Sequence, residues 1–262
     1  YDAAAVVIAE GISELTVTDV TDFAEETRFL YIITASSPYG DGYPTASEEL
    51  IQGPAALLPF AENFDIVADE YGNTTYEHST WQKTTSFYYS AWQLGQETYI
   101  GDTVIKPYNG GGLLYAYYDS WGLKDQWDAI TSGHIDCSSI ELPAMSFMLY
   151  DISCGGTDVT LKVEVSTDDE NFTTVKEIVM GNAETEGWTK VIFELNELAG
   201  ATSAVVRFMS VAKGENCIPV VIDAIKIADL DGVGISSVAA DKAQSEVRFN
   251  LQGQRVDANA KG

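Results

Sequence analysis

Positive charge is what this sequence has least of. Lys and Arg number 14 against 40 Asp and Glu, a formal net charge of −26 over 262 residues. A chain with no basic surface has nothing to hold a phosphate backbone, which argues against nucleic acid as a partner. Anionic membrane surfaces would repel it as well. Histidine is nearly absent, with only His78 and His134. The three cysteines, Cys137, Cys154 and Cys217, include no C-x-x-C pair, which speaks against a zinc ribbon or a thioredoxin-type site. An odd count permits at most one internal disulfide, by any of three pairings, and single thiols are the expectation. No apolar run reaches the roughly 20 residues of a membrane-spanning helix. The sequence opens at Tyr1 with no Met and no basic stretch, so a leader is expected to be absent or already removed.

Catalytic signatures are missing too. There is no G-x-S-x-G, H-E-x-x-H, G-x-x-x-x-G-K-[ST] or G-x-G-x-x-G. Gly110-Gly111-Gly112 has no P-loop lysine beside it and reads as a flexible turn opening a strand. His134 lies three residues before Cys137, but catalytic partners meet in space rather than in sequence, so both histidines are read as structural or surface residues. Carboxylate pairs for glycoside hydrolysis carry no signal in a chain with 40 acids.

What is present is β-structure. Apolar residues make up 45% and charged residues 21%, a balance that argues for a packed core. Segments 27–35, 161–166, 190–195, 204–211 and 220–227 are rich in β-branched and aromatic residues, with period-two alternation. Asp168-Asp169-Glu170-Asn171 between two such runs predicts a hairpin turn. The best helical candidate is short, around Thr45 to Leu50. The fold class expected is an all-β sandwich or barrel.

The chain divides into residues 1–53, a main body over 58–230, and a tail over 233–262. Gly53-Pro54 and Asp231-Gly232 punctuate it. The tail carries four basic and three acidic side chains, whereas the first 232 residues carry ten basic and 37 acidic.

Three resemblances follow these boundaries. Phe29-x-Tyr31-x-Ile33-x-Ala35 with Gly40 resembles the penultimate strand of a fibronectin type III domain, and 48–52 its last strand. Phe29 stands at the family's corner-tyrosine position, so that hydrogen bond is expected to be missing. Only about the second half of such a domain is recognisable, so this region is expected to lean on the main body. The main body resembles the choice-of-anchor J and cleaved-adhesin jelly rolls, which are MAM-like in plan. The resemblance runs in order through Leu58-Pro-Phe-Ala-Glu-Asn-Phe-Asp65, Trp81, residues 112–120, Trp127 to Asp136, the hairpin at 161–175, Gly187-Trp188 and Val221-Ile-Asp-Ala-Ile-Lys-Ile227. Asp128-Ala129 replaces the usual Leu, and Ala224 the second Asp of the last strand. The segment Asn250-Leu-Gln-Gly-Gln-Arg-Val256 resembles the start of C-terminal sorting domains of exported Bacteroidetes proteins, here cut short.

The jelly-roll resemblance implies a structural calcium ion joining first and last strands. Carried over, its ligands are Glu62, Asp65 and Asp223, with Asp119 as a fourth; Ala224 weakens the set. Calcium needs several oxygen ligands, which carboxylates and carbonyls supply. Two aromatic clusters offer a ligand surface: Tyr88, Tyr89 and Trp92, and Tyr115, Tyr117, Tyr118 and Trp121. Tyr115 and Tyr117 share one strand face and Tyr118 takes the other. Trp92 and Trp121 lie nearest to loops and are the expected ligand-binding rings. Trp81, Trp127 and Trp188 match family strand positions and are expected to pack. The resemblance implies a non-catalytic, extracellular or surface-attached adhesion module that grips a glycan or a host or matrix protein. The alternatives are a carbohydrate-binding accessory module of a larger secreted hydrolase, or a structural spacer.

Overall fold

Alternating apolar residues have two faces to bury, and two sheets stacked on one another bury both inner faces at once. The computed structural model describes residues 6–14, 16–47, 50–68, 74–76, 80–86, 91–117, 126–234, 248–249 and 255–256. In chain order the strands that matter are β1 (Phe60–Glu62), β2 (Gln82–Thr85), β3 (Trp92–Gly95), β4 (Thr98–Ile100), β5 (Thr103–Ile105), β6 (Leu113–Ala116) and β7 (Gln126–Thr131). Then come β8 (Pro143–Ser153), β9 (Val159–Ser166), β10 (Thr173–Val179), β11 (Asn182–Glu194), β12 (Val205–Ala212) and β13 (Val220–Asp229).

One sheet has the order β2-β7-β12-β9-β10. The other runs β3-β6-β13-β8-β11, and β1 pairs with β13 as well. Every pairing within these two sheets is antiparallel. The all-β sandwich is therefore as expected. Between the sheets lie Phe147, Phe208, Leu114, Leu161, Val163, Ile222 and Trp92, all at most 2% exposed. Trp81 stacks on Phe208 and tilts against Phe64. Burying side chains of this size contributes roughly 1.5–3 kcal/mol each.

Asp128, where the resemblance has an apolar residue, also points inward. Its carboxylate accepts the Ala91 N–H (2.9 Å) and the Thr85 hydroxyl (2.8 Å). A buried carboxylate is tolerated only with such partners.

The predicted hairpin forms as β9 and β10. Asp168 caps its turn by accepting bonds from the Asn171 side chain, the Asn171 and Glu170 N–H groups and the Ser166 hydroxyl. These donors hold its carboxyl well below the usual carboxylate range. Asp169 takes the left-handed conformation, φ 61°, at which Asp is among the better-tolerated residues.

The N-terminal region is thinner. The single strand expected over 27–35 is two short ones. Thr27–Phe29 pairs with Leu50–Gln52, and Ile32–Ile33 with Thr45–Ala46, so strands occupy both ends of the helical candidate. Phe29 carries no hydroxyl to donate, but its neighbour Tyr31 donates its own to Asp19 Oδ2 at 2.8 Å. This region touches the body where the Glu26 side chain reaches His134, and just beyond it Ala56–Leu57 pairs in parallel with Ile135–Asp136. In the tail, Arg248–Phe249 pairs with Arg255–Val256. Among the described residues no helix is long and apolar enough to cross a membrane.

Candidate ligand face

The six-stranded sheet has an inner face in the core and an outer face away from it. Register decides which residues meet on the outer one. Gln93 on β3 lies opposite Tyr115 on β6, and Tyr115 opposite Val221 on β13. Val221 lies opposite Tyr150 on β8, and Tyr150 opposite Trp188 on β11. The result is one straight row across five strands, at about 4.8 Å per strand. Val221 is fully buried in the middle, Tyr115, Tyr150 and Trp188 are half-buried, and Gln93 is exposed. The β4–β5 hairpin packs over part of this face, where Ile100 and Ile105 join Leu113 and Val221 in a second small cluster.

The rings are ordered by one another. Tyr150 meets Trp188 edge-on at 5.6 Å between centroids, and Tyr108 meets the same Trp188 at 6.0 Å. Such edge-to-face pairs are favoured by the ring quadrupoles. Tyr108, on the loop before β6, is 54% exposed. The Tyr115 hydroxyl donates to Gln93 Oε1 (3.1 Å) and the Tyr150 hydroxyl to Glu186 Oε1 (3.3 Å). Burial pushes both phenols up, and the Glu186 charge adds to the effect at Tyr150. Both therefore remain protonated donors at neutral pH. Apolar faces flanked by hydroxyl, amide and carboxylate groups can pack a flat, polyhydroxylated ligand and hold its rim.

The expected ring residues fare differently. Trp92 is a correction: it is fully buried between the sheets, and its Nε1–H donates to the Asp128 carbonyl at 2.9 Å. It neighbours the row, but Gln93 takes the outer face, because adjacent residues on a strand point to opposite sides. Trp121 lies outside the described residues. Trp188 packs, as expected, but on the outer face of the sheet. Tyr108, Tyr150 and Trp188 were not foreseen as ligand contacts. Only strand order brings them together, since each alternation pattern says which residues share a face and not which strands lie side by side.

Three of the four expected calcium ligands are described; Asp119 lies outside. Glu62 accepts the Phe64 N–H (2.7 Å) and the Trp81 Nε1–H (3.3 Å). Asp65 accepts the Gly111 N–H at 2.8 Å. Asp223 is fully buried; one of its oxygens takes the Tyr108 and Asn109 N–H groups (2.7 and 2.9 Å) and the other the Ala224 N–H (2.6 Å). Burial raises its pKa and the nearby Asp65 charge adds to that, against the three donors. Among the described residues no three His, Cys, Asp or Glu side chains are arranged to hold a metal ion.

Gly110 to Gly112 form a close crossing rather than a loose turn. A Cβ on Gly112 would stand 1.9 Å from the Phe64 carbonyl oxygen, and one on Gly110 2.3 Å from Asp65 Oδ1.

The histidine–cysteine neighbourhood does not assemble a nucleophilic site. His134 Nδ1 bonds Glu26, its Nε2 bonds Asp169 at 3.0 Å, and its backbone N–H donates to Glu26 Oε2 at 2.8 Å. Cys137 is buried, and burial pushes its thiol up to about 11. A thiol held protonated is not a nucleophile. All three cysteines are unpaired; Cys137 is buried, Cys217 half-buried and Cys154 exposed. His78 lies outside the described residues.

No family model matches the chain, and no curated protein matches it. Solved structures similar to it include the K1 cleaved adhesin domain of Lys-gingipain from Porphyromonas gingivalis W83, at 13% identity and TM-score 0.47, covering 65% of this chain and 97% of that one. Another belongs to a study of carbohydrate-binding modules of the β-sandwich superfamily, at 10% identity and TM-score 0.40, covering 78% and 75%. A third is the Endo-D glycoside hydrolase domain from Streptococcus pneumoniae R6, at 16% identity and TM-score 0.45, covering 67% and 28%. At such levels the likeness assigns neither ligand nor activity.

Proposed function

We propose that this chain is a non-catalytic extracellular binding module that takes a glycan across the outer face of its six-stranded sheet. One observation carries the reading: the row Gln93–Tyr115–Val221–Tyr150–Trp188, with Tyr108 beside it. Tyr115, Tyr150 and Trp188 offer partly exposed ring surface for the C–H faces of sugar rings. The Tyr hydroxyls, Gln93 and Glu186 supply donors and acceptors for sugar hydroxyls. The net charge of −26 selects against sulfated or uronic chains and favours a neutral glycan.

Calorimetric titration with a panel of neutral and anionic oligosaccharides tests this. Saturable binding of a neutral chain, lost in Trp188→Ala and Tyr150→Ala while the fold persists, is the expected result. Binding that survives both substitutions would remove the face from consideration. Absence of binding across the panel would leave a protein ligand or a spacer role.

Calcium is proposed in a structural role only. Asp65 lies close enough to Asp223 to raise its pKa, and a divalent cation would relieve that repulsion. A rise in Tm on adding calcium, absent in Asp65→Asn, supports it. An unchanged Tm removes it.

A further inference from the structure

We infer that Asp223 is a positioning residue for the ligand face: through the backbone of the 108–109 loop it sets the Tyr108 ring against Trp188. The inference rests on the glycan reading for its consequence but not for its geometry.

It begins with a break in pairing. Along one edge of β13, β6 pairs with residues 220–222 and β1 with residues 225–227. Asp223 and Ala224 fall between the two strands. On the other edge, β8 pairs Ser146 with Lys226 and Met148 with Asp223, so the register shifts at the same place. Ala224 adopts φ 50°, a left-handed conformation that a β-carbon disfavours. An extra residue in one strand is the signature of a bulge, which re-aims a side chain.

The re-aimed side chain is the Asp223 carboxylate. It does for the loop what a strand would have done, accepting two successive N–H groups, those of Tyr108 and Asn109. Its other oxygen satisfies the Ala224 N–H exposed by the bulge itself. Asp65 holds Gly111 from the far side, and Asn109 Nδ2 donates to Asn63 Oδ1 at 3.3 Å. The backbone from Tyr108 to Gly111 is thereby fixed at several points, while the Tyr108 side chain stands half in solvent. Its ring contact is Trp188, at the end of the aromatic row.

An amide cannot replace this carboxylate. Asn offers one acceptor oxygen and one NH2, so either the Ala224 N–H or the Tyr108–Asn109 pair would face a donor. In a fully buried position the mismatch has no water to relieve it. The loop would shift and Tyr108 would leave Trp188.

The test uses the full chain in chelator, so that no cation contributes, with Asp223→Asn, Tyr108→Ala and the double variant. Glycan affinity is expected to fall about tenfold in each single variant, and no further in the double, because both act through one ring. Asn109→Pro removes the Asn109 N–H from Asp223 and the Nδ2 bond to Asn63 while leaving the carboxylate itself in place, and covers the case in which Asp223→Asn does not fold. It is expected to weaken binding several-fold. A second measurement needs no ligand: NMR of the Tyr108 ring protons, shifted by the Trp188 ring current, and hydrogen exchange of the Tyr108 and Asn109 amides. In Asp223→Asn the ring-current shift should collapse and both amides should exchange faster; in Asn109→Pro, which has no amide N–H at 109, the shift should collapse and the Tyr108 amide should exchange faster. Multiplicative losses in the double variant, or an unmoved Tyr108 ring, overturn the inference. If no glycan binds wild type, the function proposed above fails, and the NMR readout still decides whether Asp223 places the ring.

Discussion

The two outer faces of this sandwich share one core and use their surfaces in opposite ways. Across the five-stranded sheet the row is polar: Gln82, Thr131, Arg207, Glu164 and Thr174 lie opposite one another on successive strands. Arg207 grips Glu164 with two N–H groups at 2.8 and 2.5 Å, and its guanidinium lies 3.5 Å over the Phe172 ring. Thr174 completes Glu164, and Lys162 pairs with Glu177 at 3.4 Å. Every charge in that row is already answered from within. Across the six-stranded sheet the corresponding row is aromatic, with the Tyr115 hydroxyl bonded to Gln93 and the Tyr150 hydroxyl to Glu186. A face whose groups satisfy one another has little to offer a partner. A face of half-covered rings retains surface to bury.

The contrast can be attacked in order of expected effect. The largest loss comes from below both faces. Phe208→Ala or Trp92→Ala should cost about 3–5 kcal/mol by emptying the shared core, read as a lower urea midpoint. A Trp92→Ala protein that stayed fully stable and lost only glycan affinity would restore Trp92 as a ligand residue. Next, Arg207→Ala strands the buried Glu164 carboxylate and should cost about 1.5–3 kcal/mol. Its glycan affinity should match wild type, and a loss there would mean that the paired face also binds. Trp188→Ala should do the reverse: at least about tenfold weaker binding, equivalent to roughly 1.4 kcal/mol, with a small change in Tm. Tyr150→Phe removes only the bond to Glu186 and should weaken binding by a few-fold.

The smallest effect is a pH dependence. Burial alone would lower the His134 imidazole, but its bonds to Asp169 and Glu26 outweigh that and raise it above 6.5. A group raised on folding stabilises the fold below its unfolded value and loses that contribution as pH rises through its folded value. The tie from Glu26 to the body should therefore loosen on the alkaline side. Tryptic cleavage after Arg28, compared across that range, should accelerate in wild type and be flat in His134→Gln. Glycan affinity should not follow the same curve.

Much of the fold was legible in the sequence, and for identifiable reasons. The β9–β10 hairpin announces itself through alternation on both sides of Asp168 to Asn171, and the closing strand through its run of β-branched residues. The N-terminal run over 27–35 was less clear, because two short pairings with different partners produce the same composition as one long strand. The candidate face was legible least. Placing Trp92 near a loop gave the wrong side of β3, an error of one residue in a pattern of period two. Asp223 was picked out by resemblance, as a calcium ligand. Its bonds to the 108–109 loop depend on a bulge and a left-handed Ala224 that no motif encodes.

The position of β13 has a consequence for how the molecule comes into being. Among the described residues it is the last long strand, yet it lies in the middle of its sheet, between β6 and β8. During synthesis β6 and β8 emerge long before the segment that must separate them. Until Val220–Asp229 inserts, the two cannot take their final places, and the aromatic row exists only as scattered rings. Contacts so distant in sequence form slowly, with strand edges open meanwhile. The candidate face is thus a late product of folding, completed only when the body's closing strand is in place.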